Sequence, residues 1–240
     1  MNLAIDIGNS SCKAGIYMAG KKEYVKYAAC RDISFVEEFI SHHDIDRAIL
    51  SSVRRENRSF RELLDDKGIE TLILSHQTPL PFKMSYESPE TLGTDRLAAV
   101  AGAHNMFGKS NVLVIDAGTA VTYDLLESGS VYAGGNISPG LELRFKALNE
   151  FTGRLPLVSK ADSFGNLGVN TVDAIRSGVQ TGLVFEINEY IRTLKKKYGK
   201  LKVIITGGDG KFLAGKLETG FILEPHLVLD GLNYILDYNA

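Results

Sequence analysis

The strongest restriction on how this 240-residue chain can fold is a strand–turn–strand unit that occurs twice. In the first copy an apolar run of Leu3, Ala4 and Ile5 ends in Asp6. Gly8, Asn9 and Ser10 then supply turn chemistry, and a second run with alternation covers Cys12 to Tyr17. In the second copy Val112 to Ile115 ends in Asp116, Gly118 and Thr119 turn the chain, and Ala120 to Leu125 returns. Small residues at a tight turn between two such runs signal a β-hairpin. One copy alone reads equally well as an ordinary hairpin. Two copies of strand–Asp–x–Gly–Asn/Thr–strand, 110 positions apart, point to a duplicated fold whose halves each offer a phosphate-facing turn. A carboxylate at the end of a buried strand can hold a hydrated Mg²⁺ against phosphates, while turn N–H and hydroxyl groups hydrogen-bond the phosphate oxygens. Lys13, on the returning strand, can reach the same phosphates.

The remaining pattern alternates strands with helices, which is the signature of an α/β layer protein. Glu23 to Ala29 reads as a strand and Ser34 to His42 as a helix with Ser34 as its N-cap. Arg47 to Val53 is a buried-strand pattern ending in two serines. Arg54 to Asp66 is an amphipathic helix with a stripe of Phe60, Leu63 and Leu64, and Thr71 to Leu74 is a short strand. Leu97 to Asn105 has helix-forming composition; Thr94 as N-cap puts Asp95 and Arg96 in the first turn, where the helix dipole favours the acid. Gly93 beside them would let a ligand approach the backbone.

Val131 to Gly140 is glycine-rich, either a plain turn at Gly134-Gly135 or a place where backbone meets ligand. A helix with Phe145, Leu148 and Phe151 follows. A long helix runs from Thr171, its Gly178 and Gly182 permitting close helix packing, and its lysine-rich end suits the dipole. Lys202 to Thr206 is a buried strand that delivers Gly207-Gly208-Asp209-Gly210 at its carboxyl end, where nucleotides bind in open α/β folds. Leu227 to Leu236 makes a C-terminal helix. The domain boundary falls near residues 106 to 110, which gives halves of 1–108 and 109–240, the last helix able to pack back on the first half.

Composition excludes several classes. A net charge of −2 from 27 basic and 29 acidic residues leaves no electrostatic footprint for nucleic acid. Two cysteines, Cys12 and Cys30, make neither a disulfide framework nor a metal cluster. No apolar run approaches the about 18 residues that span a bilayer, and the N-terminus lacks a signal-peptide pattern. A cytoplasmic protein with no membrane partner is expected.

The ordered set of D-I-G-N-S with Lys13, G-T-D-R at 93–96, D-A-G-T at 116–119, G-G-x-I-x-P-G at 134–140 and T-G-G-D-G at 206–210 resembles the acetate and sugar kinase / Hsc70 / actin superfamily. Within it the chain is similar to the type III pantothenate kinases, most specifically through Y-x-x-P-x-x-L-G-x-D-R from Tyr86 to Arg96. The resemblance implies two ribonuclease H-like (actin-like ATPase) halves with a nucleotide cleft between them. It implies transfer of the γ-phosphoryl group of ATP to pantothenate, the first step of coenzyme A synthesis, with Mg²⁺, a monovalent cation (K⁺ or NH₄⁺) and a homodimer.

By position, the resemblance gives Asp6, Gly8, Asn9, Ser10 and Lys13 to the ATP phosphates, with Asp6 on the Mg²⁺. Asp95 becomes the general base. Tyr86, Gly93, Thr94 and Arg96 line the pantothenate site with it, Arg96 facing the substrate carboxylate. Asp116 would ligate the monovalent cation and Thr119 contact ATP. Thr171 would hydrogen-bond pantothenate, from its own or the neighbouring subunit. Two other readings use the same residues: a superfamily kinase or phosphohydrolase with another substrate, and a non-catalytic regulatory protein that keeps the fold. The second would be expected to have lost Asp6 or Asp95, and both are present.

Overall fold

The computed structural model describes residues 1–9, 11–29, 32–52 and 58–240. Ser10, Cys30, and Val53 to Asn57, which includes the start of the helix expected from Arg54, lie outside the described residues. The first strands are β1 (Asn2–Ile7), β2 (Ser11–Met18) and β3 (Lys21–Ala29), followed by α1 (Ser34–His42), β4 (Arg47–Ser52), α2 (Arg58–Asp66) and β5 (Glu70–Ile73). They form a five-stranded sheet ordered β3-β2-β1-β4-β5, with β1, β2 and β3 antiparallel neighbours and β4 and β5 added in parallel. On β1, Leu3, Ala4, Ile5 and Ile7 are fully buried, as befits a central strand covered on both faces. Phe35, Val36 and Phe39 of α1 and Phe60 and Leu64 of α2 pack into the same core. Ser34 does not cap α1; Ile33 holds that place, and the Asp32 carboxylate accepts from the Ser34 N–H at 3.0 Å.

The chain continues through β6 (Lys83–Met84), a 3₁₀ turn at Pro89–Thr91, α3 (Thr94–Phe107), β7 (Asn111–Ala117), β8 (Ala120–Glu127), β9 (Val131–Pro139) and α4 (Leu141–Glu150). Then come α5 (Thr171–Tyr198), β10 (Leu201–Thr206), α6 (Gly210–Ala214), β11 (Ile222–Leu223) and α7 (Leu227–Tyr238). The second sheet is ordered β11-β10-β7-β8-β9-β6, with β10 parallel to β7 and β11 parallel to β10. Apart from the short β6, its order β9-β8-β7-β10-β11 repeats β3-β2-β1-β4-β5 strand for strand. The duplicated hairpin is thus the centre of a duplicated sheet. The glycine-rich 131–140 stretch is a strand rather than a turn, and its Gly134, at φ +116, sits within it.

Residue contacts divide the chain into two compact units: Met1–Lys109 with Leu126–Gly134 and His226–Ala240, and Ser110–Leu125 with Gly135–Pro225. In the first unit α7 lies close against α3 because of two glycines. A Cβ at Gly231 would fall 1.8 Å from Ala98 O, and one at Gly102 would fall 2.6 Å from Leu227 O. Polar anchors fix α7 further: Tyr17 Oη donates to Asp230 at 2.7 Å, and Asn2 Nδ2 donates to Asn233 at 2.9 Å.

Candidate active site

In the first unit, strand register sets three polar side chains in a row. Asp6 pairs with Lys13 across the β1–β2 hairpin and with Ser51 across the parallel β1–β4 edge. Paired residues stand on the same face of a sheet, so an ammonium, a carboxylate and a hydroxyl are neighbours near the strand ends. Asp6 is only 6% exposed and Ser51 is fully buried. Burying a carboxylate costs free energy unless it is hydrogen-bonded or meets a cation, so the Lys13 ammonium on the neighbouring strand favours the charge of Asp6 there. The adjoining turn is closed by the Gly8 N–H donating to Ser11 O at 3.0 Å, with Asn9 exposed at its tip.

The row extends to α3 through a contact that the sequence does not disclose. Ser51 Oγ lies 3.0 Å from Thr94 Oγ1. Thr94 is therefore not the N-cap of α3: Gly93 occupies that position, and the Thr94 hydroxyl ties the helix start to β4 instead. Asp95 follows in the first turn, its Oδ1 accepting from the Arg96 N–H at 2.8 Å. Burial pushes the Asp95 carboxyl above the usual aspartate range, opposed by that N–H, by the Arg96 charge and by the charge of Lys13. A Cβ at Gly93 would sit 2.4 Å from Asp95 Oδ1. The glycine makes room for the carboxylate itself, a different reason from the ligand approach expected of it.

Arg96 is 5% exposed, and its Nη2 donates to the Tyr132 hydroxyl at 3.1 Å. The guanidinium carbon stands 6.0 Å from the centre of the Tyr86 ring, and the Tyr86 and Tyr132 rings are 5.9 Å apart. Arginine over an aromatic face is held by cation–π attraction as well as by the hydrogen bond. The first unit thus gathers Asp6, Lys13, Tyr86, Gly93, Thr94, Asp95 and Arg96 of the expected residues, and adds Ser51 and Tyr132. Ser51 carried a faint signal as one of two serines ending a buried strand. Tyr132 carried none, because its meeting with Arg96 depends on pairing over 36 positions.

The second unit repeats the device with different trimmings. Asp116 ends the buried run of β7 and pairs with Thr206 of β10, as Asp6 pairs with Ser51. Gly207 follows at φ +89, where a Cβ would lie 2.4 Å from both Asp116 Oδ1 and Ala117 O. The Asp209 N–H donates to Ala117 O at 2.9 Å, so the Gly-Gly-Asp loop folds over the Asp116 turn. Thr119 is exposed, and its carbonyl accepts from the Gly140 N–H at 3.0 Å. Thr171 stands at the exposed start of α5, after an Asn170 cap that accepts from the Asp173 N–H at 2.9 Å. Beside the Gly-Gly-Asp loop, a cavity of about 510 Å³ is lined by Leu141, Phe145, Leu157, Lys160 and Asp209 among others. Lys160 Nζ and Asp209 Oδ1 pair across it at 2.5 Å.

Among the described residues there is no cluster of three or more His, Cys, Asp or Glu able to cage a metal. A buried carboxylate next to a hairpin turn suits a Mg²⁺ that keeps its waters and is delivered with phosphates. Asp116, with the Ala117 carbonyl close by, is an oxygen donor set of the kind hard cations take.

The profile of the type III pantothenate kinase family matches residues 2–193. A type III pantothenate kinase from Porphyromonas gingivalis is 42% identical over 242 residues, spanning 100% of this chain and 99% of its own length. Among solved structures, a protein from Campylobacter jejuni described as a candidate Baf family transcriptional activator superposes with a TM-score of 0.64 at 24% identity. That match covers 99% of this chain and 98% of the other. The inorganic polyphosphate/ATP-glucomannokinase of Arthrobacter sp. strain KM superposes at 0.51 with 14% identity, covering 99% and 97%. The fold is that of actin-like ATPases and sugar kinases.

Proposed function

This chain belongs to the type III pantothenate kinase family, and we infer that it carries out the reaction for which the family is named. It phosphorylates pantothenate to 4′-phosphopantothenate at the expense of ATP, which opens coenzyme A synthesis. The observation that carries the residue assignment is Asp95, a carboxylate made more basic by burial yet held in the first turn of α3.

In the proposed mechanism the primary alcohol of pantothenate attacks the γ-phosphorus of ATP, the bond to the β,γ-bridging oxygen breaks, and ADP leaves. Asp95 accepts the alcohol proton. The transition state of such transfers is loose, so positioning and charge neutralisation outweigh the strength of the base. A carboxylate raised above the usual aspartate range is a better proton acceptor than an ordinary one. Arg96, kept in place by Tyr132, faces the pantothenate carboxylate, and Tyr86, Gly93 and Thr94 complete the substrate site. Asp6, Gly8, Asn9, Ser10 and Lys13 hold the ATP phosphates and Thr119 contacts ATP. The cavity beside Asp209 suits the nucleoside.

Asp6 would hold Mg²⁺, and Asp116 would hold K⁺ or NH₄⁺; these ions supply positive charge against the phosphates. We read the halves as 1–108 and 109–240, with α7 returned to the first. We also propose a homodimer in the cytoplasm. Phe185 is 62% exposed and Val172 is 40% exposed on α5, and a Cβ at Gly178 or Gly182 would meet nothing within 4 Å. Among the described residues nothing approaches these glycines closely enough to need them, which supports a second copy as the occupant of that face and Thr171 as reaching its site. No helix among the described residues is long and apolar enough to cross a membrane.

The test is a coupled ADP-release assay with Mg²⁺ and ATP, with and without pantothenate, in K⁺ and again in Na⁺. Pantothenate-dependent release that needs K⁺ is the expected result. Release independent of pantothenate would make the protein a phosphohydrolase of the same fold, and silence from folded protein would favour the regulatory reading.

A further inference from the structure

One polar network in the second unit is left unused by this mechanism. Arg144, one turn into α4, donates from Nε to Pro139 O at 2.7 Å and from Nη2 to Ser138 Oγ at 2.9 Å. The same Nη2 donates to Glu186 Oε2 of α5 at 2.6 Å. The other carboxylate oxygen, Oε1, accepts from the buried Tyr123 hydroxyl of β8 at 2.7 Å, and the Tyr123 ring lies tilted against Tyr190 with centroids 4.2 Å apart. One arginine and one glutamate therefore join β8, the end of β9, α4 and α5.

What they hold is the end of β9, which lies against the ATP-facing hairpin. Gly140, directly after Pro139, donates its N–H to Thr119 O, and a Cβ on it would fall 2.2 Å from Gly118 O. With contact this close, the 138–140 segment at the end of β9 cannot move without moving Gly118 and Thr119. We propose that Arg144 and Glu186 are positioning residues for the ATP side of the reaction, pinning Ser138–Gly140 against the Asp116–Thr119 hairpin. This rests on the reading of that hairpin as facing ATP and its monovalent cation.

Three features separate the pair from an ordinary surface ion pair. The Arg144 and Glu186 side chains are 21% and 24% exposed, whereas Arg192 and Glu189 further along α5 are 78% and 56% exposed; pairs of the latter kind contribute little. A cation near the start of a helix is disfavoured by the dipole, so α4 itself gains nothing from Arg144 there. The three acceptors around the guanidinium also fit its planar fork, which a lysine cannot reproduce. The electrostatics agree: burial alone would raise the Glu186 carboxyl, but hydrogen bonds from Arg144, Tyr123 and Ser138 bring it below the usual glutamate range.

The experiment measures KM for ATP, KM for pantothenate, kcat and half-saturating K⁺ for the full chain and for Arg144→Lys, Glu186→Gln, Thr119→Ala and Glu189→Gln. R144K and E186Q should each raise KM for ATP and half-saturating K⁺ by about 3- to 10-fold, the scale of one or two lost hydrogen bonds. KM for pantothenate should stay within about twofold, and E189Q should behave as wild type. Unchanged ATP and K⁺ dependence in folded R144K and E186Q, or equal loss toward both substrates, would overturn the proposal. So would failure of both to fold, since the pair would then serve stability alone. An inactive wild type, or a Thr119→Ala variant with unchanged KM for ATP, would instead refute the reading of the site on which the inference rests.

Discussion

Asp95→Asn separates the chemical role of this carboxylate from its structural one. Asparagine keeps an oxygen where Asp95 Oδ1 accepts the Arg96 N–H at 2.8 Å, so the first turn of α3 stays satisfied and no hydrogen bond is lost. What disappears is the proposed proton acceptor. General-base catalysis contributes about 10²- to 10⁴-fold, so kcat should fall by that factor, or about 2.7 to 5.5 kcal/mol in the barrier. KM for ATP should change little. Stability should move the other way. Burial raises the folded-state pKa of Asp95, so the stability this group contributes is present below its unfolded pKa and is lost as pH rises through the folded value. Above the folded-state pKa the ionised carboxylate is therefore a liability, and there D95N should melt at or above the wild-type temperature. That advantage should vanish below the ordinary aspartate pKa. Steady-state kinetics and thermal melts at neutral and acidic pH read both effects. A D95N enzyme that keeps more than about a tenth of wild-type kcat, a loss short of any general-base contribution, or that loses ATP affinity in parallel, would refute the base assignment.

The other predictions follow from single contacts. Tyr132→Phe removes the acceptor 3.1 Å from the buried Arg96 Nη2; a hydrogen bond to a charged group is worth about 1.5 to 3 kcal/mol. KM for pantothenate should rise by roughly 10-fold or more, with KM for ATP unchanged. Gly93→Ala places a methyl 2.4 Å from Asp95 Oδ1, so kcat should fall with secondary structure intact by circular dichroism. Gly231→Ala puts a Cβ 1.8 Å from Ala98 O where α7 crosses α3. Overpacking of this kind costs about 1 to 3 kcal/mol, which a thermal melt would register as a loss of several degrees. Glu186 carries a lowered pKa, so its contribution to stability is present above the unfolded glutamate pKa and is lost as pH falls through the folded one. E186Q should therefore narrow its stability gap to wild type on acidification.

What could be read from the chain was whatever depends on neighbouring residues. The paired hairpins at Asp6 and Asp116, the helix from Thr171 and the buried strand ending at Thr206 are local patterns of alternation and turn chemistry, and the strands and helices lie close to their expected bounds. What depends on tertiary pairing was not legible. Thr94 has the composition of an N-cap, but its hydroxyl meets Ser51 from a strand 43 positions earlier. The glycines of β9 look like a turn, yet the sheet they join supplies their hydrogen bonds. Gly178 and Gly182 have the spacing of a packed helix face, yet among the described residues a Cβ at either would meet nothing within 4 Å. Tyr132 and Arg144 meet partners 36 and 42 positions away, distances at which a single sequence holds no signal.

The central claim is that a site built on Asp95 moves a phosphoryl group from ATP to pantothenate. Its most direct test is ³¹P NMR of the protein mixed with Mg²⁺, ATP and pantothenate in K⁺ buffer. A phosphomonoester resonance of phosphorylated pantothenate should grow in step with ADP, and should be absent with Asp95→Asn over the same period. Growth of inorganic phosphate in place of that resonance, or the same phosphomonoester formed at wild-type rate by the variant, would contradict the account.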